Sequence, residues 1–177
     1  LESVRLGVKV GEVRVEGTET DHVSAVVTVK CNNASTKRCM ERSEKIRLDA
    51  RTVGRSLRLD LRGVPKRFSS GLDVGVDLSV PRRLSLGLEV GVGEIEVRDL
   101  GGDLDMKVGV GEITVEAREG EIGRVRANVG VGDASLRARG GRVHGEGFLG
   151  RDLRWTGTGE REVHVDVGVG EVTIRLD

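Results

Sequence analysis

The sequence predicts an all-β protein, a single-stranded parallel β-helix (β-solenoid) with coils of about 18–21 residues. Three observations carry the prediction. An eight-residue pattern occurs four times, as Val90-Gly91-Val92-Gly93-Glu94-Ile95-Glu96-Val97, Val108-Gly109-Val110-Gly111-Glu112-Ile113-Thr114-Val115, Val129-Gly130-Val131-Gly132-Asp133-Ala134-Ser135-Leu136 and Val167-Gly168-Val169-Gly170-Glu171-Val172-Thr173-Ile174. Outside the copies, apolar residues recur with a period of two and no segment keeps a helical period. With 27 glycines, no tyrosine, two phenylalanines and one tryptophan, the core must be built from Val, Leu and Ile, which suit pleated strands.

The 177 residues are enough for one ordinary domain, 1–177. Residues 1–70 read as an irregular β region of short strands, alternating at Val4/Leu6/Val8/Val10, Val13/Val15, Val23 to Val29, Ile46/Leu48 and Leu57/Leu59/Leu61. Residues 30–45 form the most polar stretch and read as an exposed loop at the tip of a long hairpin. Val64-Pro65-Lys66 marks a break, because proline cannot donate to a strand ladder. Residues 71–177 read as the repeat solenoid, entered through Leu72/Val74/Val76/Leu78/Val80 and the step at Pro81.

Within each copy the parity of the apolar side chains changes. Val90 and Val92 share one face, Gly93-Glu94 intervenes, and Ile95 and Val97 share a face. A corner at Gly93-Glu94 lets all four point inward. Nine positions after three of the corner glycines stand Gly102, Gly120 and Gly141, the expected second corners. Corner glycines at 93, 111, 132 and 170 leave intervals of 18, 21 and 38, so a degenerate copy is expected in the last interval, at Gly150-Arg151. Stacking in sequence order would then leave the final strand, Glu171 to Asp177, at an open edge, shielded by Arg175 and Asp177 or by a neighbour.

Lys plus Arg and Asp plus Glu both number 29, a net charge of zero that removes the electrostatic case for a nucleic-acid partner. No run of 18 apolar residues and no signal-peptide pattern is present, and the chain begins at Leu1 without an initiating Met, so a processed or trimmed N-terminus is expected. Cys31 and Cys39 flank a short polar segment; they are a disulfide candidate for an oxidising compartment, or else two free thiols.

The Val-Gly-Val-Gly-Glu/Asp copies, the Val80-Pro81 step and the closing Val167 to Leu176 strands resemble the bacterial "putative adhesin" family, the Toastrack domains of cell-envelope proteins. The resemblance covers about 100 residues from Leu72 onward. It implies a β-helical, non-enzymatic module for interaction, adhesion or envelope-stress sensing. It also implies an extracytoplasmic location, periplasmic or at the cell surface, with any membrane anchor outside this chain. The partner implied is an envelope protein or surface component. No catalytic residues come with the family.

Glu94, Glu112 and Asp133, with Arg151 and Glu171, follow the corner glycines and would form a column. A divalent cation held by Glu94, Glu112 and Asp133 is one reading; a solvated row of turn residues is the other. Gly91, Gly109, Gly130 and Gly168 point outward and form a candidate interaction strip, unless they only relieve crowding beside the corner. No helix follows these glycines, so they are not a phosphate loop. No cofactor is expected. His22, His144 and His164 read as surface residues. Phe148 and Trp155 read as a plug in the core or a terminal seal, or as a sugar-stacking platform. A carbohydrate-binding or carbohydrate-active β-helix is the alternative function, disfavoured by the shortage of aromatics; self-assembly into homo-oligomers through end strands is a third.

Overall fold

In the computed structural model the described residues are 1–32, 36–65 and 71–177; Asn33, Ala34, Ser35 and Lys66 to Ser70 lie outside them, and with them parts of the 30–45 loop and of the Val64-Pro65-Lys66 break. The elements run β1 (Ser3–Thr18), β2 (Ser24–Cys31), α1 (Thr36–Ser43), β3 (Arg47–Val53), β4 (Ser56–Arg62), β5 (Leu72–Pro81), β6 (Ser85–Arg98), β7 (Leu104–Ala117), β8 (Ile122–Ala138), β9 (Gly141–His144), β10 (Arg151–Thr156) and β11 (Arg161–Leu176), with a 3₁₀ turn at Glu119–Glu121 between β7 and β8. All eleven strands belong to one mixed, largely parallel sheet.

Five long strands form the body, in the spatial order β1, β6, β7, β11, β8, each parallel to its neighbour. Their apolar positions line up as continuous ladders. One is Val4, Leu86, Leu104, Val163 and Val125; after the corner another is Val13, Ile95, Ile113, Val172 and Ala134. Members of both ladders are buried and belong to a single aliphatic cluster, so the two halves of each strand face one core. Among the described residues no polar or charged residue is buried in it. Each fully buried Val, Leu or Ile contributes about 1.5–3 kcal/mol, and only pairing with its neighbours makes such burial available to one strand.

The copies do not stack in sequence order. β11 lies between β7 and β8, pairing Gly170 with Gly111 on one side and Gly132 on the other. The C-terminal strand is therefore central rather than an open edge, and its termination needs no shielding by Arg175 and Asp177. The Gly150 segment is not a fifth coil. It opens β10, which runs antiparallel to β8 with Arg151 opposite Val129. β9 pairs antiparallel with the other half of β8, opposite Ser135 to Ala138. The long 38-residue interval between Gly132 and Gly170 thus holds a cap for the last rung.

The fifth copy of the corner pattern is at the N-terminus instead. β1 carries Val8-Lys9-Val10-Gly11-Glu12-Val13-Arg14-Val15, paired residue for residue with β6 from Val10↔Val92 to Val15↔Val97. The regular stack therefore begins before residue 70, inside the stretch read as irregular. On the far side of β1 the next layer is split, β4 covering Ser3 to Gly7 and β5 covering Glu12 to Thr18, both parallel. β3 and β2 close this end by antiparallel pairing with β4 and β5.

The 30–45 stretch is not wholly loop. Lys37, Arg38, Met40, Glu41 and Arg42 are good helix formers, and α1 forms there, ending in Ser43 Oγ donating to the Met40 carbonyl at 2.8 Å. Cys39, buried in this helix, is joined by a disulfide to Cys31 at the end of β2, with Cα atoms 6.0 Å apart.

Candidate functional site: the corner edge of the stack

The corner is the most regular surface feature of the molecule, and it is made by backbone geometry. Gly93 has φ of +145°, a conformation L side chains rarely adopt. A Cβ there would also overlap the carbonyl oxygen of Gly11 in the next rung, and the same overlap links Gly111 to Gly93, Gly170 to Gly111 and Gly132 to Gly170. The preceding glycines are constrained as well. A Cβ on Gly91, Gly109 or Gly168 would lie 2.5 Å from the carbonyl oxygen of Lys9, Gly91 or Gly109, and one on Gly130 would lie 2.6 Å from that of Gly168. The outward glycine strip is therefore exposed, but close packing between rungs already accounts for its lack of side chains.

Between the two glycine rows stands a valine row, Val10, Val92, Val110, Val169 and Val131, in register through successive strands. These valines do not turn inward with the rest of the copy. Val90 is buried, but Val110 is 47% exposed, Val169 46% and Val131 61%; Val10 and Val92 are half-buried. The corner accommodates three of the four apolar residues of a copy inside and leaves the fourth on the surface. On β6, β7, β11 and β8 it has glycine on both sides, and on β1 Lys9 replaces the first of them.

Two residues past each valine runs the carboxylate column: Glu12, Glu94, Glu112, Glu171, Asp133, all exposed. Glu112 and Asp133 are not neighbours, because Glu171 separates them. Arg151 lies at the end of the column rather than inside it, its Nε 3.3 Å from Asp133 Oδ1. Arg14 meets Glu12 at 2.9 Å. Among the described residues no ion pair engages Glu94, Glu112 or Glu171. Adjacent carboxylates one rung apart repel by about 1 kcal/mol in water, which exposure makes tolerable. Among the described residues there is also no cluster of three or more His, Cys, Asp or Glu arranged to hold a metal ion.

The remaining sequence-selected residues lie apart from the corner. His22 and His144 are exposed; His164 Nε2 is 3.0 Å from Asp166 Oδ2 on the outer face of β11. That face carries a polar depression of about 630 Å³, lined by Arg5, Arg58, Asp60, Asp105 and His164 among others, and no Phe, Tyr or Trp lines it. Trp155 packs half-buried against the core, whereas Phe148 is 97% exposed and plugs nothing. Sequence reasoning missed Val10-Gly11-Glu12, whose Val-x-Val-Gly-Glu spacing was a usable signal, and the exposure of the valine row, for which alternation gives none.

No protein-family model matches the sequence, and no curated protein matches it. Among solved structures, one described as a "putative cell adhesion protein" from Clostridium sporogenes ATCC 15579 aligns over 99% of this chain and 93% of its own, with 18% identity and a TM-score of 0.61. At that identity the likeness is one of fold, and it extends over nearly all of both chains.

Proposed function

We propose that this chain is a non-enzymatic adhesion or interaction module of a bacterial cell envelope, a β-solenoid of the Toastrack type whose corner edge is its contact surface. The observation that carries the reading is the register of the corner through five strands, which sets a valine row, exposed on β7, β11 and β8, between two glycine rows interrupted only by Lys9 and beside a carboxylate column. Rigid, repeated surfaces of this sort suit an extended partner that meets the same chemistry at every rung. The fold shared with a protein described as a cell adhesion protein supports the same class of role, and the Cys31–Cys39 disulfide suits an extracytoplasmic setting. The carbohydrate-active alternative needs two carboxylates facing each other across a substrate, usually with aromatic subsites. Here the regular carboxylates stand side by side along an edge.

The test is retention of the purified chain on intact bacterial cells and on isolated envelope fractions. Val110→Lys/Val131→Lys/Val169→Lys changes only exposed side chains and should lower retention at least about tenfold with an unchanged melting temperature. Glycine variants such as Gly109→Arg are unsuitable, since they would disturb the packing between rungs. Equal retention of wild type and triple variant, or release of reducing sugar from envelope polysaccharide by the wild type, would overturn the reading.

A further inference from the structure

We infer that the β8–β10 end of the stack is a docking surface for an anionic lipid bilayer, with Phe148 and Leu149 as the inserting residues. The inference is independent of the corner edge and goes beyond the proposed adhesive role. Phe148 is 97% and Leu149 83% exposed, and they are adjacent at the tip of the turn between β9 and β10. Burying such side chains would be favourable, yet nothing in the described chain covers them. The tip is held by a built base. Glu146 and Asp152 exchange both backbone hydrogen bonds, at 3.0 and 2.9 Å, and Gly145 N–H donates to the Ala134 carbonyl at 2.8 Å. Arg151 donates to the Gly147 carbonyl inside the turn and to Asp133 on β8. The pair is thus presented on a fastened hairpin.

Charge selects the occupant. The last layer, residues 122–156, carries seven arginines against three carboxylates, a balance of +4 in a chain whose net charge is zero. Three of the arginines are paired: Arg124 with Glu162, Arg151 with Asp133, Arg154 with Asp152. Among the described residues, Arg126, Arg137, Arg139 and Arg142 have no carboxylate within ion-pair distance. Three of them even face like charges, Arg137 and Arg142 opposite each other and Arg126 opposite Arg154, an arrangement that costs stability in a free sheet. At the opposite end of the stack Arg47, Arg51, Arg55 and Arg62 lie beside Asp49, Asp60 or Glu2 while Arg58 has no such partner among the described residues, so it is the adjacent exposed pair Phe148 and Leu149, together with the positive charge, that distinguishes the β8–β10 end. An apolar tip on a layer with an excess of guanidiniums matches an anionic bilayer, whose acyl region takes the tip while long arginine side chains reach lipid phosphates.

The experiment is flotation of the intact chain with vesicles of phosphatidylcholine alone and of equal parts phosphatidylcholine and phosphatidylglycerol. Wild type should float with the anionic vesicles and not the neutral ones, and high salt should weaken the association. Phe148→Ser/Leu149→Ser should reduce partitioning about tenfold or more, and Arg137→Gln and Arg142→Gln about fivefold each, none of them lowering the melting temperature because the side chains are exposed. Val110→Ser/Val169→Ser, on β7 and β11 and without change of charge, should float like wild type, which separates this surface from the corner edge. Failure of wild type to float with anionic vesicles, equal flotation with neutral ones, or undiminished flotation of the Phe148/Leu149 variant would overturn the inference.

Discussion

Gly170 of the last strand stands in register with Gly111 of β7, and its missing Cβ leaves room for the Gly111 carbonyl oxygen. The C-terminal strand is therefore a keystone between rungs laid down much earlier in the chain. Gly170→Ala places a methyl on that oxygen and also strains a residue with φ of +147°. It should destabilise the fold by about 2–4 kcal/mol, measured by denaturant unfolding. Gly75→Ala is the control: nothing lies within 4 Å of its Cβ position, so the change should be near neutral.

The copies at 93, 111, 132 and 170 were legible because spacing and composition repeat, and the parity change correctly marked a bend. The order of stacking was not legible for the same reason. β11 matches β7 and β8 equally well, so near-identical copies carry no information about which neighbour each will choose. The first copy was hidden by Lys9 in place of glycine. Lys9 is tolerated because the layer beyond β1 is split: β4 stops at Gly7 and β5 starts at Glu12, so neither pairs with residue 9. Alternation also placed Val92, Val110, Val131 and Val169 inside, since a hydrophobic pattern cannot show how many residues a bend expels. Helix α1 escaped notice because eight residues are too few to show a period, and a short helix owes its stability to tertiary ties, here the disulfide.

The split between core and corner valines gives a direct test of which residues carry stability. Ile113→Ala removes buried methyl groups from the centre of a ladder flanked by Ile95 and Val172. Its expected cost is about 2–5 kcal/mol. Val110→Ala, three residues earlier in the same strand, should change stability by no more than about 0.5 kcal/mol. Thermal unfolding of the two variants side by side checks both values; comparable losses would mean that the corner valine belongs to the core after all.

The disulfide closes a short loop, its cysteines 8 positions apart, at the margin of the sheet. Chain-entropy arguments limit its contribution to about 2–3 kcal/mol. Cys31→Ser/Cys39→Ser should lower stability by at most that amount while leaving the parallel rungs folded. Amide hydrogen exchange should show protection lost in α1 and β2 and retained in β6, β7 and β11. Collapse of protection throughout the sheet would instead make the disulfide a requirement for the stack.

Arg82 ties two ends of the rim together. It follows β5, its side chain is only 14% exposed, and it donates from one Nη to both Glu121 oxygens at 2.9 Å in the 3₁₀ turn that carries the chain from β7 to β8. The Arg82 carbonyl also accepts from Gly101 N–H at 3.0 Å, so its backbone is fixed independently of the ion pair. Glu121 is about one-third exposed, and solvent screening reduces the value of the pair accordingly. Arg82→Met should cost about 1–2 kcal/mol, and in a double-mutant cycle with Glu121→Gln most of that loss should appear as coupling between the two positions. Because that turn sends β8 beyond the place β11 will occupy, the variant should also slow refolding more than it speeds unfolding if the contact forms before β11 inserts. Stopped-flow folding in both directions separates the two cases: an effect confined to unfolding would place the Arg82–Glu121 contact after insertion of the last strand.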